Sequence, residues 1–212
     1  MDSKYWDEIY LTREPGELGW YEAVPATLDA VIAATSSRSA AIIDVGAGAS
    51  TLADHLLDAG FGDVTLLDLS ATALETTRLR LGATPAVTFL TDDVTSFAPT
   101  RQWDLWHDRA VFHFLVDPEH RAGYKATMRR ALAPGAQVVM ATFAPGGPEQ
   151  CAGQPVAHFD EEALVAEFAG VLDCIECTTP LPGPPGSDQR PYVMCTFRRS
   201  IDAADSGPVE ES

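Results

Sequence analysis

An α/β fold built on a doubly wound, mostly parallel sheet is what this sequence predicts, and three observations predict it. Short apolar runs of strand length recur between segments with helical spacing. Residues 40–70, AAIIDVGAGASTLADHLLDAGFGDVTLLDLS, read as strand, glycine turn, helix and strand. The last apolar segment, Tyr192 to Arg198, alternates and reads as an antiparallel closing strand.

In the first unit, Ala41-Ile42-Ile43 suits a strand covered on both faces, and Asp44 ends it. Gly46-Ala47-Gly48 lets the backbone turn tightly and approach a ligand without a side chain in the way. Leu52, Leu56 and Leu57 fall at helical spacing, with Gly60 as the stop. Val64 to Leu67 is the next strand, and Asp68 sits at its carboxyl end. Asp44 and Asp68 therefore flank one glycine turn.

Upstream, residues 4–22 hold Tyr5, Trp6, Tyr10, Trp20 and Tyr21. Trp6 and Tyr10 share a helix face at i, i+4. The segment either docks the N-terminus onto the core or closes over a ligand as a lid. Pro25 to Ala34 reads as a helix with Leu28, Val31 and Ile32 inward, and Ser36 to Ser39 links it to the first strand.

Downstream, Ser70 caps a helix to about Leu81, and Val87 to Leu90 is the third strand, followed by Asp92-Asp93-Val94. Trp103 to His107 is the fourth strand. Ligands of open α/β sheets bind beyond the carboxyl ends of strands where strand order reverses, which puts His107, Asp108, Arg109 and His113 in position for chemistry. Pro118 to Leu132 is a helix, with Tyr124, Met128 and Leu132 on one face. Gln137 to Phe143 is the fifth strand, and residues 144–154 form a loop at its end, a candidate substrate wall. A helix capped by Asp160, a strand over Val171 to Thr178 and a proline/glycine loop over 180–190 precede the closing strand. The expected organisation is one domain over 1–199, with 1–38 as N-terminal lid and helices, and a disordered acidic tail over 200–212.

Thirty-one acids against 14 bases give a formal charge of −17, which disfavours a nucleic-acid partner. No apolar run spans a membrane, and Met1-Asp2-Ser3-Lys4 is no signal peptide, so a cytoplasmic monomer or homodimer without membrane contact is expected. Five scattered histidines suggest no metal site. Cys174 and Cys177 lie in a predicted strand, where positions i and i+3 take opposite faces; with Cys151 and Cys195 they are expected to be reduced thiols. Gly46-x-Gly48 is half of a dinucleotide fingerprint whose third glycine would be Thr51. Asp44 beside a helix N-terminus would repel pyrophosphate. The turn suits a cofactor that carries a cation and no phosphate.

These residues resemble strand-(D/E)-x-G-x-G, the first motif of the class I S-adenosylmethionine-dependent methyltransferases. The resemblance implies a Rossmann-like, seven-stranded sheet of order 3-2-1-4-5-7-6, its last strand antiparallel, flanked by helices. It implies S-adenosylmethionine as cofactor, with Asp44 toward the ammonium end and Gly46, Ala47 and Gly48 as the cradle. Asp68 with Leu69 would take the ribose hydroxyls, Asp92, Asp93 and Val94 the adenine, and Trp6, Tyr10 and Trp20 would cover the site. The stretch from Trp106 to Met128, WHDRAVFHFLVDPEHRAGYKATM, is similar to the D-R-G-A-L…P…D-R…Y…T-M stretch of the thiopurine S-methyltransferase family, which places Arg109 on the cofactor side. Ala110 stands where that family has glycine, and the complete D-x-G-x-G turn is absent from it. The N-terminal W…W-Y-E pattern also looks like the eukaryotic lysine methyltransferase branch, and the Trp106 stretch like a bacterial group of small class I enzymes.

The implied reaction is in-line methyl transfer to a small-molecule thiol, amine or hydroxyl. His107 and His113 are candidate bases, and Arg109 orients an anion or pairs with Asp108. The chain has no asparagine and so no N-P-P-Y motif, and no cysteine ends the fourth or fifth strand as a covalent nucleophile. A protein-lysine methyltransferase, a non-catalytic S-adenosylmethionine-binding domain and a nicotinamide oxidoreductase are the alternatives.

Overall fold

The computed structural model describes residues 2–35, 37–181 and 191–200. Helix α1 (Ser3–Thr12) and a 3-10 turn (Pro15–Glu17) precede α2 (Leu28–Ala33), β1 (Ile42–Val45), α3 (Leu52–Asp58), β2 (Val64–Asp68), α4 (Ala71–Leu81) and β3 (Val87–Thr91). Then come β4 (Trp103–Arg109), a 3-10 turn (Phe112–Phe114), α5 (Pro118–Ala131) and β5 (Leu132–Phe143). A short hairpin of β6 (Gln150–Cys151) and β7 (Gln154–Pro155) is followed by α6 (Glu161–Glu167), β8 (Leu172–Leu181) and β9 (Tyr192–Arg199). The large sheet runs β3-β2-β1-β4-β5-β9-β8. Its first five strands are parallel, and β9 is antiparallel to both β5 and β8. With the hairpin set aside, this is the expected order.

Alternation along each strand supplies two large cores, and a smaller cluster of Ala141, Phe143, Cys151 and Tyr192 lies toward the end of β5. Ile42 and Leu105 pack with Leu52 and Leu56 on one face, whereas Ile43 and Trp106 pack with Met128 and Phe168 on the other. A sheet covered on both faces explains why β1 and β4 are apolar at successive positions rather than at every second one. Ser70 caps α4 by accepting from the Ala73 N–H, and Asp160 caps α6 in the same way through Ala163.

Three buried polar side chains on the α5 side form one chain of hydrogen bonds. Trp106 donates its indole N–H to the Tyr124 hydroxyl (2.9 Å), and Tyr124 donates to Asp108 Oδ2 (2.6 Å). Asp108 Oδ1 accepts the Val111 N–H (2.9 Å), which turns the backbone out of β4. Burial pushes the Asp108 carboxyl up to about 6, opposed by the bond from Tyr124.

Three expectations are corrected. The loop over 144–154 contains the β6–β7 hairpin. Cys177 and Cys195 are joined by a disulfide between β8 and β9, not reduced. Cys174 and Cys177 share one face, because the register shifts between Cys174 and Glu176 and leaves Ile175 as an extra residue. Most of the expected proline/glycine loop (182–190) and nearly all of the expected tail (201–212) lie outside the described residues. Among the described helices none is long and apolar enough to cross a membrane.

Tyr124→Phe leaves the Trp106 N–H and the Asp108 carboxyl each short of a partner, so it should lower stability by about 2 kcal/mol in urea unfolding. An unchanged midpoint would show that this chain of bonds is not holding α5 to the sheet.

Candidate active site

The carboxyl ends of β1, β2 and β4 open onto a cavity of about 1000 Å³, counting its mouth. Its floor is the turn after β1. Gly46 and Gly48 adopt φ of 65° and 51°, a left-handed conformation that side chains resist. The N–H groups of Gly46 and Ala47 both donate to the Leu67 carbonyl (2.7 and 3.2 Å), which fastens the turn to β2. A Cβ on Gly46 would collide with the Val111 side chain, and one on Gly48 would lie 2.5 Å from the Tyr10 hydroxyl.

Asp68 is held at both oxygens. Oδ2 accepts the Gly48 N–H (2.8 Å) and Oδ1 the Ser70 N–H (2.7 Å). Burial pushes its carboxyl up to about 6; these two bonds oppose the rise, and the Asp44 charge adds to it. Burial and Asp68 likewise drive the Tyr10 phenol well above its ordinary range. Asp92 and Asp93 line the same end of the cavity with Val94 and Leu69. Asp93 Oδ1 accepts both the N–H and the hydroxyl of Thr95 (2.8 and 2.7 Å), an Asx turn within the site.

The N-terminal segment forms the roof. Asp7 on α1 accepts from the Ser70 hydroxyl (2.7 Å) and the Thr72 N–H (3.1 Å), tying α1 to the start of α4. Tyr5 donates to the Ala152 carbonyl in the β6–β7 turn. Trp6 packs edge-on against Trp20 (6.2 Å between centroids) and Phe114 (5.1 Å). Residues 20–27 are pinned from below. Thr51 and His55 bond to the Ala23 carbonyl, Thr27 bonds to His107, and Arg109 donates to the Trp20 carbonyl (3.0 Å).

Of the residues expected at the site, Trp6, Tyr10, Trp20, Gly46, Ala47, Asp68, Leu69, Asp92, Asp93, Val94 and Arg109 line the cavity. The others do not, and each for a visible reason. Asp44 is buried within β1, its Oδ1 bonded to His107 Nδ1 (2.7 Å), so it does not face the cavity. Gly48 lies behind Tyr10. His107 is buried between Asp44 and Thr27 (2.9 Å from Nε2), and Asp108 is buried under Tyr124. His113 is buried and stacked on Phe143, 4.2 Å between centroids. The expectation that these two histidines reach an acceptor is corrected by their burial.

Sequence reasoning gave no site role to Glu22, Phe114 or Cys151, all in the wall, whereas Tyr21, also there, was named in the aromatic segment. Glu22 is 9% exposed; its Oε2 accepts the Ala26 N–H (2.8 Å) and its Oε1 lies 3.6 Å from Arg109 Nη1. It follows the two conspicuous aromatics Trp20 and Tyr21, which was its available signal. Cys151 arrives on the unpredicted hairpin and had none. Ala110, in the wall beside Arg109, has φ 72°, the left-handed value that favours the glycine found there in the thiopurine family.

Residues 42–135 match the family model described as a methyltransferase domain. Over 83 residues the chain is 29% identical to malonyl-[acyl-carrier protein] O-methyltransferase 1 of Ilyobacter polytropus, covering 39% of this chain and 31% of that protein. The chain thus spans under a third of that relative's length. Among solved structures, the N-methyltransferase NodS of Bradyrhizobium japonicum, in complex with S-adenosylhomocysteine, superposes with a TM-score of 0.70 at 18% identity, over 94% of this chain and 100% of that one. The 1,6-didemethyltoxoflavin-N1-methyltransferase of Burkholderia thailandensis gives 0.69 at 21%, over 94% and 85%. A structure from work on converting a disulfide bond into a thioacetal group in echinomycin biosynthesis gives 0.72 at 19%, over 96% and 95%. At these identities the shared property is the fold, that of the class I methyltransferases.

Gly48→Ala should cost about 1–3 kcal/mol in thermal or urea unfolding and shift the tryptophan fluorescence, because the new methyl displaces Tyr10 from the roof. Wild-type stability and spectrum would mean that Tyr10 does not bear on the turn.

Proposed function

We propose that this chain is an S-adenosylmethionine-dependent methyltransferase acting on a small-molecule acceptor. The observation that carries the reading is the placement of Asp68 and the glycine turn at one end of a cavity whose other end is walled by aromatic rings. The residues fit the cofactor. A cradle that a Cβ would fill lies beside a carboxylate at the end of β2, and the Asp92–Val94 turn stands where an adenine edge can bond. When bound, S-adenosylmethionine supplies a sulfonium methyl for in-line displacement.

The chain's own task is then alignment, exclusion of water and proton removal. Gly46 and Ala47 give close backbone approach, Asp68 takes the ribose hydroxyls, and Asp92 or Asp93 accepts from the adenine amine. Trp6, Trp20 and Phe114 wall the acceptor end as a largely apolar compartment. With His107 and His113 buried behind the wall, Glu22 is the carboxylate at that end. It is placed to accept a proton from a hydroxyl or ammonium acceptor, with Arg109 alongside to steady the charge. A cavity roofed by α1 supports a small acceptor over a polypeptide side chain presented from outside. A cavity with open space between the glycine turn and the aromatic wall supports catalysis over binding alone. Glycine at only two of three fingerprint positions, with Thr51 at the third, disfavours nicotinamide dinucleotides.

The raised Asp68 carboxyl gives a pH signature. The folded, ligand-free protein holds this proton more tightly than the unfolded chain does. Its contribution to stability is therefore complete below about pH 4 and lost as pH rises through about 6. Ribose hydroxyls favour the ionised form, so affinity for S-adenosylhomocysteine should fall as pH drops below about 6, with protons released on binding near that pH. Asp68→Ala should weaken binding by about 2 kcal/mol or more and abolish this dependence. Calorimetry with unchanged affinity in the variant removes Asp68 from the site; no binding to the wild type removes the functional reading.

Glu22→Gln keeps an acceptor for the Ala26 N–H. Against a panel of phenols, amines and thiols, it should slow hydroxyl and ammonium acceptors by about 100-fold, leave thiolates nearly unaffected, and spare cofactor affinity. Equal losses for all three acceptor types would assign Glu22 to packing.

A further inference from the structure

Three of the four cysteines meet on the β8–β9 edge of the sheet, remote in sequence from every residue of the cavity. Cys195 is fully buried on β9 and bonded to Cys177, its direct cross-strand partner on β8. Cys174 is exposed and carries a thiol. Its Sγ lies 3.8 Å from Cys177 Sγ. The bulge makes this meeting possible. Cys174 pairs with Phe197 and Cys177 with Cys195, and Phe197 and Cys195 stand two apart on one face of β9. Cys174 and Cys177 therefore sit on that same face, with Ile175 looped out and half exposed between them. The sulfurs run from solvent to core in the order Cys174, Cys177, Cys195, and the middle one touches both others.

We propose that Cys174, Cys177 and Cys195 form a thiol–disulfide exchange site in which Cys177 trades partners between Cys195 and Cys174, presenting the disulfide to soluble thiols. The Cys174 thiolate attacks Cys177 Sγ. The Cys174–Cys177 bond forms as the Cys177–Cys195 bond breaks, and the proton lost by Cys174 ends on Cys195. The step is redox-neutral and needs no outside oxidant. Cys195, the leaving sulfur, is restored as a neutral thiol in an apolar core, the form that burial favours. Burial and the carboxylates of Glu161 and Glu176 hold Cys174 mainly as thiol, so the exchange is slow rather than blocked. A soluble thiol can then open the surface bond, a reaction the buried Cys195 sulfur does not admit directly. The cross-link between the two strands is exchanged for one confined to β8.

This site stands apart from the proposed methyl transfer, and its test uses neither cofactor nor acceptor. The full-length protein, purified without reductant, is treated with reduced glutathione, quenched with N-ethylmaleimide at intervals, and mapped by mass spectrometry. Cleavage after Glu176 separates Cys174 from Cys177. Both linkages, Cys177–Cys195 and Cys174–Cys177, are expected in the wild type. Cys174→Ser should hold the cross-strand bond alone and be reduced about tenfold more slowly or worse. Cys195→Ser, oxidised, should contain the Cys174–Cys177 bond; should that core variant not fold, the exposed Cys174→Ser decides alone. Reduction of Cys174→Ser at the wild-type rate overturns the proposal. So does a wild type in which maleimide marks Cys174 quantitatively while only the cross-strand bond is ever found, or in which all three thiols are labelled before reductant is added.

Discussion

Two backbone N–H groups converge on the Asp68 carboxylate, one from Gly48 in the turn after β1 and one from Ser70 at the start of α4. A single side chain thus fixes the spacing between the turns that follow two neighbouring strands. The Gly48 amide reaches it only because the backbone there is left-handed, and the Ser70 hydroxyl, freed from Asp68, is available to Asp7 of the roof. Floor, wall and roof of the cavity are therefore indexed to one carboxylate. Its burial costs more than the two amides return, as its raised proton affinity records. A carboxylate in that condition gains from any further hydroxyl donor that enters the cavity.

Much of this was legible from residue order. The strand–turn–helix–strand unit over 40–70, Asp68 at its end and the aromatic roof could all be read because each rests on a local pattern: an apolar run, a glycine pair, a helical i, i+4 spacing. Topology also placed the end of β4 correctly. What topology does not carry is which way a side chain at a strand end turns. His107 and Arg109 are both plausible there, yet His107 is taken up by Asp44 and Thr27 while Arg109 reaches the cavity. His113 fails for a similar reason, stacked on Phe143 from a 3-10 turn that has no sequence period. Alternation misjudged the cysteines because one looped-out residue reverses facing, and a single extra residue leaves no mark on composition. Glu22 and Cys151 were hidden in a different way. Glu22 comes from an irregular segment and Cys151 from a two-residue hairpin strand, each brought over the site by long-range contacts, to the start of α3 and to α1.

The acidity of the chain and the electrostatics of the cavity are separate matters. A formal charge of −17 belongs to the whole sequence, whereas the wall of the cavity sets one carboxylate, Glu22, against one guanidinium, Arg109. The two are 3.6 Å apart, longer than a tight hydrogen-bonded pair, so each retains capacity for a third partner. Largely shielded from solvent, such a pair responds strongly to any polar group that comes between its members.

Helix α1 roofs the cavity, yet not one of its ten residues is fully buried. Its attachments include side-chain bonds from Asp7 and Tyr5, the Tyr10 ring over Gly48, and the contacts of Trp6 with Trp20 and Phe114, which pack in turn on the small cluster around Phe143 and Tyr192. An element with no fully buried residue stands at the less stable end of a fold's range of local stabilities. The roof of the cavity therefore rests on contacts separate from those that hold the sheet together. The upper boundary of the cavity is thus set by Asp7, Tyr5 and Trp6, side chains far in sequence from the turns that form its floor.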